Sequence, residues 1–223
     1  MGPYTENYQY CSACANPTMS NVFLASRASK IIPMSVQNDH GYMAIEKDRL
    51  VICFAGSDDW LDWISNFEFL TLDEGMTIHA GFYDSWLNFK DFVTGGVKNY
   101  IIPYVEKRIV PKLVVRGHSR GAALATLCAR HIAKNIGLPC SGIVYGSPKL
   151  GNVAYQQEFN TLPIDLIRVR NGFDFVCDLP PWDMGYRDVG SLVAIPQPAF
   201  HQYPPFSIID HVHYDKDLAK AGL

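Results

Sequence analysis

Three sets of residues here could do chemistry if the fold brought them together: a serine between glycines, carboxylates that follow it, and histidines near the end of the chain. Gly117-His118-Ser119-Arg120-Gly121 is a G-x-S-x-G run. Alone it is weak evidence, because glycine and serine are common in turns. Its flanks make it specific. Leu113-Val114-Val115 reads as a strand buried on both faces, and Ala122 to Asn135 reads as a helix stopped by Gly137 and Pro139. A sharp strand-to-helix reversal strains the serine backbone and lifts its hydroxyl to the carboxyl end of the sheet. Glycines on both sides remove Cβ atoms that would collide there. The following helix N-terminus favours developing negative charge. Ser119 is therefore the expected nucleophile of an acyl transfer; the plain alternative is a tight connection without chemistry.

Such a serine needs a base and an acid, which follow it in the order acid, then histidine. Of seven histidines, His40, His79 and His118 precede Ser119, and His131 lies inside the next helix. His201, His211 and His213 remain; His201 sits among prolines and aromatics and reads as a pocket wall. The acid is expected just after a strand. Ile164–Arg170 reads as one, ends at Asn171-Gly172, and is followed by Asp174. Asp165 starts that strand, at its wrong end. Asp178 is the runner-up, and Asp183 and Asp188 lie in a later turn region. Position alone leaves Asp174 balanced between triad acid and turn cap. For an oxyanion, one donor is the backbone N–H of Arg120. The other is expected from Ser57, after the strand-ending Phe54-Ala55-Gly56. Each such donor is worth roughly 3–4 kcal/mol of barrier.

The elements that must position these groups alternate. Residues 5–30 carry helical patterning broken at Asn16-Pro17. Met43–Glu46 and Leu50–Phe54 read as strands joined by a charged turn, and 82–93 and 97–109 as helices, the second bent at Pro103. After the elbow come a strand at 143–145, a helix at 152–160 and the strand at 164–170. This order implies an α/β class with a mostly parallel central sheet, helices on both faces and right-handed crossovers. No repeat or linker divides the 223 residues, so one domain over 1–223 is expected.

Composition narrows the partners. Apolar residues make 48% of the chain and the net charge is −3, so no general attraction to nucleic acid or anionic membrane is expected. No basic n-region with an apolar run opens the chain, and no transmembrane stretch is visible. The expectation is a soluble, non-secreted protein, cytoplasmic by default. Oligomeric state is not legible. Cys53, Cys128 and Cys140 read as buried thiols, whereas Cys11 and Cys14 form a lone C-x-x-C with no second pair. No cofactor or metal is called for.

These stretches together resemble the fungal-type, class 3 triacylglycerol lipase family of the α/β-hydrolase superfamily. The resemblance runs through Phe54-Ala55-Gly56-Ser57, His79-Ala80-Gly81-Phe82, Gly117–Gly121, Tyr145–Asn152 and Asp174 to Pro181, in family order. His211-Val212-His213-Tyr214 fits the family's end. It implies an α/β-hydrolase fold with Ser119 as nucleophile, Asp174 as acid, His211 as base and Ser57 in the oxyanion hole. The substrate it implies is a carboxylic ester of lipid, at a lipid–water interface. Phospholipase A1, thioesterase and acyltransferase chemistry use the same triad, and a catalytically silent binding protein shares the fold. Ala55 departs from the arginine often found there, and the secretion signal and paired cysteines of extracellular members are missing.

Trp60, Trp63, Ile64 and Phe67 follow Ser57 at i, i+3, i+4, i+7, with acidic residues between them. The resemblance places a lid over 58–70. The alternative is a surface helix packed permanently on the core.

Overall fold

The computed structural model describes residues 2–56, 69–71, 75–103, 112–196 and 208–223. A seven-stranded sheet organises them, ordered β1-β2-β3-β6-β7-β8-β9. Its strands are β1 (Ala28–Val36), β2 (Asp39–Glu46), β3 (Arg49–Phe54), β6 (Lys112–His118), β7 (Cys140–Tyr145), β8 (Ile164–Asn171) and β9 (Ser191–Ile195). The first two pairings are antiparallel and the four from β3 to β9 are parallel. A separate antiparallel pair joins β4 (Phe69–Thr71) to β5 (Thr77–His79).

Period-2 side-chain alternation builds two cores from the same strands. Leu50, Ile52 and Phe54 of β3, with Leu113 and Val115 of β6, face one core. Val51, Cys53 and Val114 face the other. The first is closed by α3 (Ala80–Tyr100) and α4 (Arg120–His131). Phe82, Trp86, Phe89, Val93 and Val97 are buried along one stripe of α3, each worth about 1.5–3 kcal/mol. The second face is covered by α1 (Pro3–Ser12), the short α2 (Val22–Ala25) and α7 (Tyr214–Ala221). Two further helices among the described residues are α5 (Val153–Thr161) and α6 (Ile208–Val212), which carries His211. Among the described residues no helix is long and apolar enough to cross a membrane.

The expected elements differ from these in three places. The helical region 5–30 is shorter, because Ala28–Lys30 already belongs to edge strand β1. The helix expected at 82–93 and the first residues of the one expected at 97–109 form one helix through Tyr100; a turn follows at Ile101, and 104–109 lie outside the described residues. Gly95-Gly96 does not break it, because a Cβ on Gly96 would run into the Met43 side chain of β2; the small residue serves close packing. Finally, Phe69 and Leu70, expected in a lid, are in β4 and pair with His79 and Ile78.

Candidate active site

Ser119 stands between the end of β6 and the first residue of α4, with φ 57° and ψ −128°. This is backbone that a non-glycine residue occupies at a cost. The turn is tight enough that a Cβ on Gly121 would lie 2.6 Å from the Ala55 carbonyl oxygen. Ser119 is buried, and its Oγ has no hydrogen-bond partner among the described residues. It lines a cavity of about 760 Å³ together with Gly56, His118, His211, Pro33 and Met34. The wall opposite the elbow thus comes from the first 41 residues, which carry none of the recognisable motifs.

His211 Nδ1 lies 3.0 Å and 2.9 Å from the two carboxylate oxygens of Asp174. A carboxylate only accepts, so Nδ1–H donates, which puts the ring's basic lone pair on Nε2. Asp174 has no exposed surface. Its oxygens also accept from the Tyr214 hydroxyl at 2.7 Å and from the Val176 N–H at 3.0 Å. Burial pushes its carboxyl up, but the hydrogen bond and charge of His211 and the Tyr214 bond outweigh that and hold it below the ordinary value.

The other candidates lie elsewhere. Asp178 is a bidentate partner of Arg170, at 2.8 and 2.7 Å. Asp188 pairs with Arg168 at 2.8 Å. His213 precedes α7 as its cap residue. His201, Ser57, Trp60, Trp63, Ile64 and Phe67 lie outside the described residues. The Arg120 backbone opens α4, where the first N–H groups have no intrahelical acceptor. Its guanidinium is ion-paired with the buried Asp39 and donates to Ser85 Oγ at 2.5 Å. It ties the elbow to β2 and α3.

Four supporting residues carry no role in the sequence reading. Gly146, at φ 56°, sits against the Asp174–His211 pair, where a Cβ would come 2.8 Å from Asp174 Oδ2 and 2.9 Å from His211 Nδ1. His118 Nε2–H donates to the His211 carbonyl at 2.8 Å, and the two rings stack at 4.7 Å. Burial, and then the nearby His211, bring the His118 imidazole down to about 4, so it is neutral at ordinary pH. Asn171 Nδ2 donates to the Asp210 carbonyl at 2.9 Å, and Asp210 Oδ2 accepts from the Phe173 N–H at 2.9 Å. These bonds fix the backbone on both sides of His211. The local signal for His118 was its place beside the nucleophile; the others are visible only in three dimensions. No group of three or more acidic, histidine or cysteine side chains among the described residues could hold a metal.

A mostly parallel sheet, a strained serine at the strand–helix turn and a His–carboxylate pair in the same cavity define a protein of the α/β-hydrolase fold. The family model for "Lipase (class 3)" matches residues 51–184, and the chain belongs to that family. It is similar to secreted mono- and diacylglycerol lipase 1 of Fusarium solani, at 33% identity over 66% of this chain and 44% of that protein. It is also similar to phospholipase A1-IIgamma of Arabidopsis thaliana, at 27% identity over 70% of this chain and 44% of that protein. The chain thus spans less than half the length of these curated relatives. The solved triacylglyceride lipase of Rhizomucor miehei shares the fold, with a TM-score of 0.77 and 22% identity over 95% of this chain and 91% of that one.

Proposed function

We infer that this chain is a serine carboxylic ester hydrolase acting on lipid esters, acylglycerols first. The observation that carries the reading is Asp174 holding His211 by Nδ1, in the cavity that also contains the strained Ser119. Ser119 Oγ attacks the ester carbonyl while His211 Nε2 takes its proton, and Asp174 steadies the resulting imidazolium. The Arg120 N–H stabilises the oxyanion, with Ser57 as the second donor. The proton on Nε2 passes to the departing alcohol. Water then enters and gives its proton to Nε2 as its oxygen attacks the acyl carbon, and Nε2 passes that proton to Ser119 Oγ as the acid leaves.

Membership of the class 3 family and the diacylglycerol lipase relative support an acylglycerol substrate. The phospholipase A1 relatives keep a second reading alive, in which the ester belongs to a phospholipid. On this reading the segment 58–70, with its tryptophan stripe, is the part that meets a lipid surface.

Labelling with a fluorophosphonate tests the chemistry. The adduct is expected on Ser119 and absent in Ser119→Ala; an adduct on another serine overturns the assignment. Parallel assays on diacylglycerol and phosphatidylcholine then separate the two substrate readings.

A further inference from the structure

The lone C-x-x-C of the sequence has a third thiol beside it in the fold. Cys14, in the turn after α1, places its Sγ 3.6 Å from Sγ of Cys53 in β3. Both thiols point at one acceptor, the Tyr10 carbonyl, which takes a hydrogen bond from Cys53 at 3.4 Å and from Cys14 at 3.9 Å. The Cys11 side chain packs against the same buried cluster that holds Cys53. Access is unequal. Cys53 is fully buried, while Cys11 and Cys14 are half-buried and line the cavity that contains Ser119. Cys128, Cys140 and Cys177 are buried and line none of that cavity.

We propose that Cys14 and Cys53 form a thiol–disulfide site, opened through the Ser119 cavity to small disulfide oxidants such as oxidised glutathione. The Cys14 sulfur attacks the oxidant, its S–S bond breaks, and one reduced thiol leaves with the proton from Cys14. Cys53 then attacks the Cys14 sulfur of the mixed disulfide and releases the second reduced thiol, which takes the Cys53 proton. Two protein thiols are oxidised and one disulfide oxidant is reduced to two thiols.

Proximity favours the second step, since the sulfurs are already in contact. Burial opposes it, holding the Cys53 thiol well above its usual range. One nearby group acts the other way. The Arg116 guanidinium is buried, bonded to Asn7 Oδ1 at 3.0 Å and to the Val115 carbonyl at 2.9 Å, with no carboxylate partner among the described residues. It favours the Cys53 thiolate. Bond formation is therefore expected to be slow at neutral pH and faster as pH rises. The bond would tie the turn after α1 to the strand that runs into Gly56, where a Cβ would be 3.6 Å from Ser119 Cβ. The site stands apart from the ester-hydrolase reading.

The test is incubation of the folded, reduced protein with oxidised glutathione at pH 7 and pH 8.5, followed by peptide mapping without reduction. A Cys14–Cys53 linked peptide is expected, forming faster at the higher pH and reversed by dithiothreitol. In Cys53→Ala, glutathione should instead remain attached to Cys14. A Cys11–Cys14 or Cys11–Cys53 bond in the wild-type protein overturns the proposal. So does a persistent glutathione adduct on Cys14, or a full complement of six free thiols.

Discussion

The Tyr214 hydroxyl donates a 2.7 Å hydrogen bond to Asp174 Oδ2, the oxygen that also accepts from His211 Nδ1 at 2.9 Å. The same hydroxyl accepts from the Asn171 N–H at 2.9 Å. The phenol therefore links the end of β8 to the carboxylate and fixes the angle at which Asp174 meets the imidazole. Tyr214→Phe keeps the ring and removes both bonds. Its expected effect is a kcat about tenfold lower on a soluble short-chain ester with KM little changed, and a stability loss of about 1 kcal/mol. Steady-state kinetics with urea unfolding checks this; an unchanged kcat would mean Asp174 is held without the phenol.

Legibility in the sequence followed burial. The strand at 113–115 and the helix from 122 stood out because a short β-branched run and a helical run meet at a glycine-flanked turn. The edge strands β1 and β9 were not seen. β1 carries Lys30, Pro33 and Ser35, and only Ala28 and Met34 are buried along its length, so its apolar residues are interrupted and lack the run that marks central strands. β9 leaves Ser191, Leu192 and Ala194 exposed. Gly95-Gly96, of low helix propensity, lies between the segments expected at 82–93 and 97–109, yet the helix runs through it, and Gly96 gives Met43 room to pack. At the site, chain order and family resemblance named Asp174 and His211, which the fold brings to 2.9 Å. Tyr214, Gly146, Asn171 and the contact of His118 with His211 depend on crossings between distant elements, which no local pattern encodes.

Gly146 offers a sharper test of the same pair. A Cβ there would be 2.8 Å from Asp174 Oδ2 and 2.9 Å from His211 Cε1, so Gly146→Ala must displace one of the two partners. A displacement near 1 Å is expected to lower kcat about a hundredfold. The protein should still fold, with circular dichroism as the control. Wild-type turnover in a folded Gly146→Ala protein would show that the pair tolerates the shift.

The nucleophile is expected to cost stability. Ser119→Ala and Ser119→Gly should both abolish turnover, yet differ in stability. At φ 57° the alanine keeps the backbone strain and glycine relieves it. Ser119→Gly should be more stable than Ser119→Ala by about 1 kcal/mol, measured as a shift in urea midpoint at constant m-value. Equal midpoints would mean the surrounding turn, not the side chain, sets the cost.

Two histidines predict an acid-side loss of stability. Burial lowers His79 from 6.5 to about 4, and burial with His211 nearby does the same for His118. Their folded values are depressed, so the unfolded chain binds protons first as pH falls. Stability is fully present above pH 6.5 and declines as pH drops from 6.5 toward 4, each histidine contributing at most about 1.4 kcal/mol per pH unit. His118→Phe should flatten that slope. Unfolding at pH 7, 5.5 and 4.5 measures it, and parallel curves for the two proteins would exclude His118 as a source.

The final expectation concerns the tryptophan stripe. In the sequence, Trp60, Trp63, Ile64 and Phe67 follow Gly56, where a Cβ would be 3.6 Å from Ser119 Cβ, by four residues or more. Apolar residues at that spacing either cover the site in water or meet lipid when substrate is aggregated. Acidic residues between them give no attraction to anionic headgroups, so any preference for an interface must come from apolar burial. Burying one large apolar side chain is worth roughly 1.5–3 kcal/mol, enough to shift a two-state cover held by a few kcal/mol. Activity is therefore expected to jump when an ester passes from monomer to emulsion. Trp63→Ser should weaken that jump about tenfold while hydrolysis of a soluble short-chain ester changes little. A smooth rise through the solubility limit, or equal losses on both substrates, would assign the stripe to permanent packing and remove the argument for an aggregated substrate.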